Sequence, residues 1–169
     1  MANTYEAIAT VTVGSGGAAS INFTSIPATY TDLLIKLSVR CADVANDRQL
    51  FMKFNSVSLN RSSRVLRGSG SAASSYTSTD METSRVDAAG STSNTFSNIE
   101  VYVPNYSGSN NKSASSDGVT ENNATAAFAE LAAHLWSDTA SINEVNFTVD
   151  GGTNFVQYST ATLYGIKNS

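Results

Sequence analysis

Reactive side chains are scarce in this sequence. Its 169 residues hold one cysteine (Cys41), one histidine (His134), one tryptophan (Trp136) and two prolines. A single cysteine excludes an internal disulfide and, with only one histidine beside it, a zinc site built from several Cys or His ligands. It fits synthesis in a reducing cytosol. A Ser–His–Asp triad would have to use His134, which lies in an apolar segment beside Trp136, and the chain has no Gly-x-Ser-x-Gly elbow. Charge is also thin, at 14% of residues, well under the usual quarter. No apolar run nears the roughly 20 residues of a membrane span, and Met1 to Glu6 shows no basic-then-apolar leader pattern. Neither a membrane partner nor a secretory signal is therefore expected.

What fills the space is neutral and polar. Ser, Thr and Asn number 26, 18 and 16, against 24 charged residues. These groups hydrogen-bond without titrating near neutral pH. They suit turns, strands and contact surfaces better than acid–base or metal chemistry.

Net charge is −4, unevenly spread. Residues 36–67 hold Lys36, Arg40, Arg48, Lys53, Arg61, Arg64 and Arg67, opposed only by Asp43 and Asp47. Arg61, Arg64 and Arg67 recur every third residue, and with Lys53 they form the candidate partner-contact set, suited to bidentate contacts with carboxylates. A solvated face or loop is the plainer explanation of the same residues. A sequence pI of about 4.8 argues against nucleic acid as the partner.

Periodicity of two runs along the chain. Tyr5 to Val13, Ile21 to Thr24, Leu33 to Arg40, Arg48 to Asn55, Phe96 to Val103, Ile142 to Val149 and Thr160 to Ile166 all read as strands. Leu33, Ile35, Leu37 and Val39 on one face give the cleanest alternation, and Arg48 to Asn55 is apolar on both faces, as a central strand would be. Gly14-Ser15-Gly16-Gly17 reads as the turn of a hairpin joining the first two strands. It lacks the Lys-Ser/Thr ending of a phosphate loop. Ala124 to Ser137 fits a helical stripe as well as alternation; we read it as a strand with Phe128, Glu130, Ala132, His134 and Trp136 on one face. Residues 56–95 and 104–123 are Ser/Gly/Asn-rich and are expected to be long loops or short strands. The expectation is one all-β domain over 1–169: a two-layer antiparallel β-sandwich of jelly-roll type with about eight strands.

Other chemistry is weaker. Glu130, Asp138 and Glu144 are candidate carboxylate pairs for glycan hydrolysis, and Asp43, Asn46, Asp47, or Asp150 with Asn154, are candidate calcium ligands, but neither set completes a known calcium loop. Tyr76, Tyr102, Tyr106 and Tyr158 are candidate sugar-stacking platforms, though sheet packing accounts for such residues too. No metal or cofactor is expected.

Three segments carry a resemblance: Ser20 to Leu33 (SINFTSIPATYTDL), Leu135 to Val145 (LWSDTASINEV) and Ala161 to Lys167 (ATLYGIK). Together they resemble small virion structural proteins of tailed bacteriophages, particularly those of cyanobacterial and marine phages. They cover about a fifth of the chain and mark strands and turns. The resemblance implies a non-enzymatic protein assembled in the host cytoplasm and resident in the virion. It would be a capsid decoration (cement) protein or a tail component, with the major capsid protein or another virion protein as partner. A homo-oligomer, three-fold by expectation, would suit it. A tail-fibre module recognising a surface glycan is the rival role. The residues have their own account as well: Pro27 bends the chain after a strand, Tyr30 covers the core edge, and Gly165 permits a close backbone approach.

Overall fold

The computed structural model describes residues 4–121 and 127–167. Twelve strands form two antiparallel sheets. They are β1 (Tyr5–Thr12), β2 (Ser20–Phe23), β3 (Asp32–Val39), β4 (Asp47–Phe54), β5 (Arg61–Gly68), β6 (Ala73–Ser78), β7 (Met81–Asp87), β8 (Ser97–Val103), β9 (Lys112–Val119), β10 (Ala129–Trp136), β11 (Val145–Val149) and β12 (Thr160–Ile166). One sheet has eight strands in the order β1-β12-β3-β8-β9-β10-β5-β6; the other has four, β2-β11-β4-β7. The expected all-β, two-sheet architecture is present. Among the described residues the only helical turn is Asp150–Gly152, after β11, and no helix is long and apolar enough to cross a membrane.

The pairing is nested. The first strand lies on the last (β1 on β12), β2 on β11, β3 on β8 and β4 on β7. Two hairpins are inserted into that frame, β5–β6 between β4 and β7 and β9–β10 between β8 and β11. Both join the same side of the first sheet, where β10 pairs with β5. The strands β5, β6, β7 and β9 stand where long loops or short strands were expected over 56–95 and 104–123, and they raise the strand number from eight to twelve. Their apolar alternation is weak because the layer they face is itself polar. β9 buries Lys112, Ala114, Ser116 and Gly118, small or hydrogen-bonding groups that no hydrophobic pattern reveals.

The Gly14–Gly17 turn is also corrected. It closes with Gly17 N–H on Gly14 O at 3.0 Å and Gly17 has φ +70°, a left-handed position suited to glycine. It carries the chain between sheets, however, and β1 and β2 do not pair. Ala124 to Ser137 forms a strand over Ala129–Trp136; residues 124–126 lie outside the described residues. β4 is central, between β11 and β7, as its two apolar faces require.

The apolar core lies between the frame strands. Leu33, Ile35, Leu37 and Val39 of β3, Leu50, Met52 and Phe54 of β4, Ile99, Val101 and Val103 of β8, and Phe147 of β11 are all buried. The Trp136 ring meets Phe54 edge-on at 5.9 Å. A Cβ on Gly165 would fall on the Tyr30 ring, so the glycine of β12 makes room for that tyrosine, as the sequence suggests. Buried Arg40 ties down the loop 88–95, donating to Ala88 O at 2.6 Å, Thr95 O at 2.9 Å and Thr92 O at 3.0 Å.

Candidate functional site

The four candidate contact residues are not brought together. On a strand, side chains alternate, so the every-third spacing splits the arginines of β5. Arg61 and Arg67 turn inward with Ser63 and Val65; Arg64 turns outward. Lys53 lies on the outer face of the other sheet, beside Phe51 and opposite Asn146. Arg61 forms an ion pair with Asp80 and donates to Val57 O at 3.3 Å. Arg67 Nε donates to Glu130 Oε1 at 2.5 Å, and its Nη2 lies 3.4 Å from Glu82 Oε1. The same guanidinium lies over the rings of Tyr76 and Phe128, at 5.0 and 5.1 Å. Elsewhere in the basic stretch, Lys36 pairs with Glu100 at 2.9 Å and Arg48 with Asp43 at 3.0 Å. Among the described residues, Arg64 and Lys53 have no ion-pair partner.

A polar layer therefore lies inside the sandwich where β9, β10 and β5 cover β7. Glu82 and Glu130 are buried there. Tyr76 donates to Glu82 Oε1 at 2.5 Å, and Ser84 donates to Glu130 Oε2 at 3.1 Å. Burial, then the hydrogen bond to Glu82, pushes the Tyr76 phenol well above its ordinary value. Both Glu130 oxygens and Glu82 Oε1 are engaged by donors of the chain itself. Glu130 lies near the start of β10 and Asp138 just beyond its end, on the order of 20 Å or more apart at strand rise, and Glu144 accepts from Ser56 at 2.8 Å. The Glu130–Asp138 pair considered from sequence is thus separated.

His134 lies in the same layer. Ser116 Oγ donates to the Thr83 carbonyl at 2.6 Å and lies 2.9 Å from His134 Nε2. A carbonyl cannot donate, so the serine proton is committed to Thr83, and Nε2–H must donate to Ser116. This is the reverse of nucleophile activation, in which the ring nitrogen takes the serine proton. Burial lowers the His134 pKa to about 4, so the ring is neutral at pH 7. The Cys41 thiol is buried and pushed up by that burial, which disfavours the reactive thiolate. Asp43 is held below its usual value by the hydrogen bond from Arg48 and then by Ala45 N–H. Asp47 pairs with Arg85. Among the described residues no group of three His, Cys, Asp or Glu side chains is arranged to hold a metal ion.

The tyrosines considered for sugar stacking also scatter. Tyr76 is in the inner layer, and Tyr106 is buried with its hydroxyl on Pro27 O. Tyr102 donates to Asp32 at 2.8 Å, and Tyr158 stands exposed in a turn. A different aromatic group was not anticipated. Tyr164, Leu34 and Tyr102 follow one another across β12, β3 and β8 on the outer face. Tyr5, Leu34, Lys36, Glu100 and Tyr164 line an open depression of about 340 Å³ there. The signal lay in the alternate positions of β3 and β12, legible once their pairing is known.

The most unusual surface is the outer face around β10. This strand turns Glu130 and His134 inward and Leu131 and Leu135 outward. Leu66 of β5 lies opposite Leu131, and Val119 of β9 opposite Ala129. Leu66, Val119, Leu131 and Leu135 are 53%, 43%, 56% and 42% exposed. Ser62, Ser113 and Ser115 flank them. No family model, no curated protein and no solved structure matches the chain.

Proposed function

We propose that this chain is a non-enzymatic structural protein of a tailed-phage particle, a decoration (cement) protein that binds and stabilises the capsid shell. The observation that carries the reading is the outer face around β10. Water-facing leucines above an inward layer of charge suit a surface that is covered in the working assembly. The uncharged Ser and Thr groups around it limit the desolvation cost of covering it. The titratable groups of the inner layer are committed to structure: His134 to Ser116, Glu82 and Glu130 to Arg67 and its neighbours. We read the nested pairing, first strand on last through β4 on β7, as a jelly-roll wrap widened by two hairpins. The three segments resembling virion proteins support the same role. The partner is the major capsid protein or a neighbouring virion protein, and the chain acts as a homo-oligomer whose repeated copies turn modest contacts into firm attachment. Adding the purified protein to shells that lack it tests this: saturable binding and a higher shell melting temperature are expected. Labelling of the tail instead of the shell contradicts it.

A second reading, a glycan-recognising tail module, is favoured by the depression between Tyr5, Leu34 and Tyr164 beside the Lys36–Glu100 pair. Rings stack on sugar C–H faces while paired charges bond hydroxyls. Glycan-array binding that is lost in Tyr164→Ala supports this reading; a blank array removes it.

A further inference from the structure

We propose that the outward face centred on β10 is where one copy of this chain meets another, with Arg64 of one copy set against Asp117 of the next. The inference deepens the homo-oligomer above by naming its surface and contact pair, and rests on that reading only for the oligomer's place in a particle.

The first ground is the polarity of β10. A sheet face left to water normally carries the polar half of an alternating strand. Here Glu130 and His134 are buried and Leu131 and Leu135 are exposed. With Leu66 and Val119 they spread over three adjacent strands, and Ala129 and Ala133 lie between them. Contiguous exposed apolar surface of this kind marks an interface.

The second ground is charge, and it selects the occupant. The neutral patch carries one cation and one anion on opposite flanks of β10. Arg64 lies across from Ala133 on the β5 side, and Asp117 lies across from Leu131 on the β9 side. Among the described residues neither has an ion-pair partner. Asp117 is worse than unpaired. Its other cross-strand neighbour is Glu100, whose charge is already taken by Lys36, and like charges directly opposite are unfavourable. An incoming Arg64 relieves that repulsion. An acidic or a basic partner would match one flank and repel the other, whereas a second copy matches both. Opposite charges on opposite flanks of one face suit a two-fold contact, in which Arg64 of each copy meets Asp117 of the other.

The test is sedimentation of the full chain at tens of micromolar, with the wild type, Arg64→Glu, Asp117→Lys, the double reversal and Leu131→Asp. All three positions are exposed, so thermal melts should confirm that each variant folds. The expected result is an oligomer for the wild type. Each single reversal and Leu131→Asp should weaken assembly about tenfold or more, and the double reversal should restore it. A wild-type monomer, or an oligomer indifferent to all of these changes, overturns the proposal. A monomer that still binds shells overturns the self-pairing while leaving the decoration role standing, so the two readings fail separately.

Discussion

At Arg67 a single guanidinium serves two buried carboxylates, Glu130 and Glu82, and lies over two rings. Removing it strands both acids in a space with little water. Arg67→Met should therefore cost about 3 kcal/mol, read as a lower denaturation midpoint in urea at unchanged slope. Arg64→Met, on the same strand but facing out, should change the stability of the monomer by no more than about 0.5 kcal/mol. Sequence spacing could not separate these two arginines, because period three has no meaning until the segment is known to be a strand. His134 gives a pH signature. Its folded pKa, about 4, lies below the 6.5 of an unperturbed ring. Between those values the unfolded chain binds a proton that the folded chain refuses. Stability is thus full above pH 6.5 and declines as pH falls toward 4, by about 3 kcal/mol for this group. Melting curves between pH 7 and 4.5 should show a steeper loss for the wild type than for His134→Gln.

At the scale of elements, legibility followed the burial of apolar side chains. β3 and β12 were readable almost to the residue, since Leu33 to Val39 and Ala161 to Ile166 alternate against an apolar core. β10 was readable as a strand despite its helix-favouring Ala, Leu and Glu, because alternation placed Glu130, His134 and Trp136 together, and pairing on both edges overrides propensity. β5, β6 and β9 were not readable. Their inward faces meet the polar layer over β7, so small and hydrogen-bonding groups replace the apolar signal. Gly118 shows how close that approach is: a Cβ there would lie 2.7 Å from Ser84 Cβ and 3.1 Å from a side-chain carbon of Ile99. Gly118→Ala should destabilise the fold by about 1–3 kcal/mol. In a Ser84→Gly background the added cost should shrink, because the nearer of the two obstructions is gone. A double-mutant cycle measured by thermal melts checks this. The first-to-second-strand hairpin was misread for a related reason. A glycine-rich turn fixes a change of direction, not the sheet in which the chain resumes.

At the scale of the molecule, the eight-strand frame folds on itself by nested pairs, and the two added hairpins extend one sheet past the other. That extension creates both the inward polar layer and the outward leucines. The structure disperses the candidate contact set from sequence: Arg64 belongs to the outward face, Arg61 and Arg67 belong to the interior, and Lys53 lies on the outer face of the other sheet. The leucines of β10 were visible in the sequence, opposite Glu130 and His134 on the alternating strand, but alternation alone does not say which face is buried. Only the burial of Glu130 and His134 on the opposite side reveals that Leu131 and Leu135 face out. The account stands on that face being covered in the assembled particle, and imaging the particle with this chain built into its density tests it most directly. The expected density lies on the capsid shell, with Leu66, Leu131 and Leu135 packed against a neighbouring copy. Density that leaves those leucines facing solvent, or no such chain on the shell, contradicts the account.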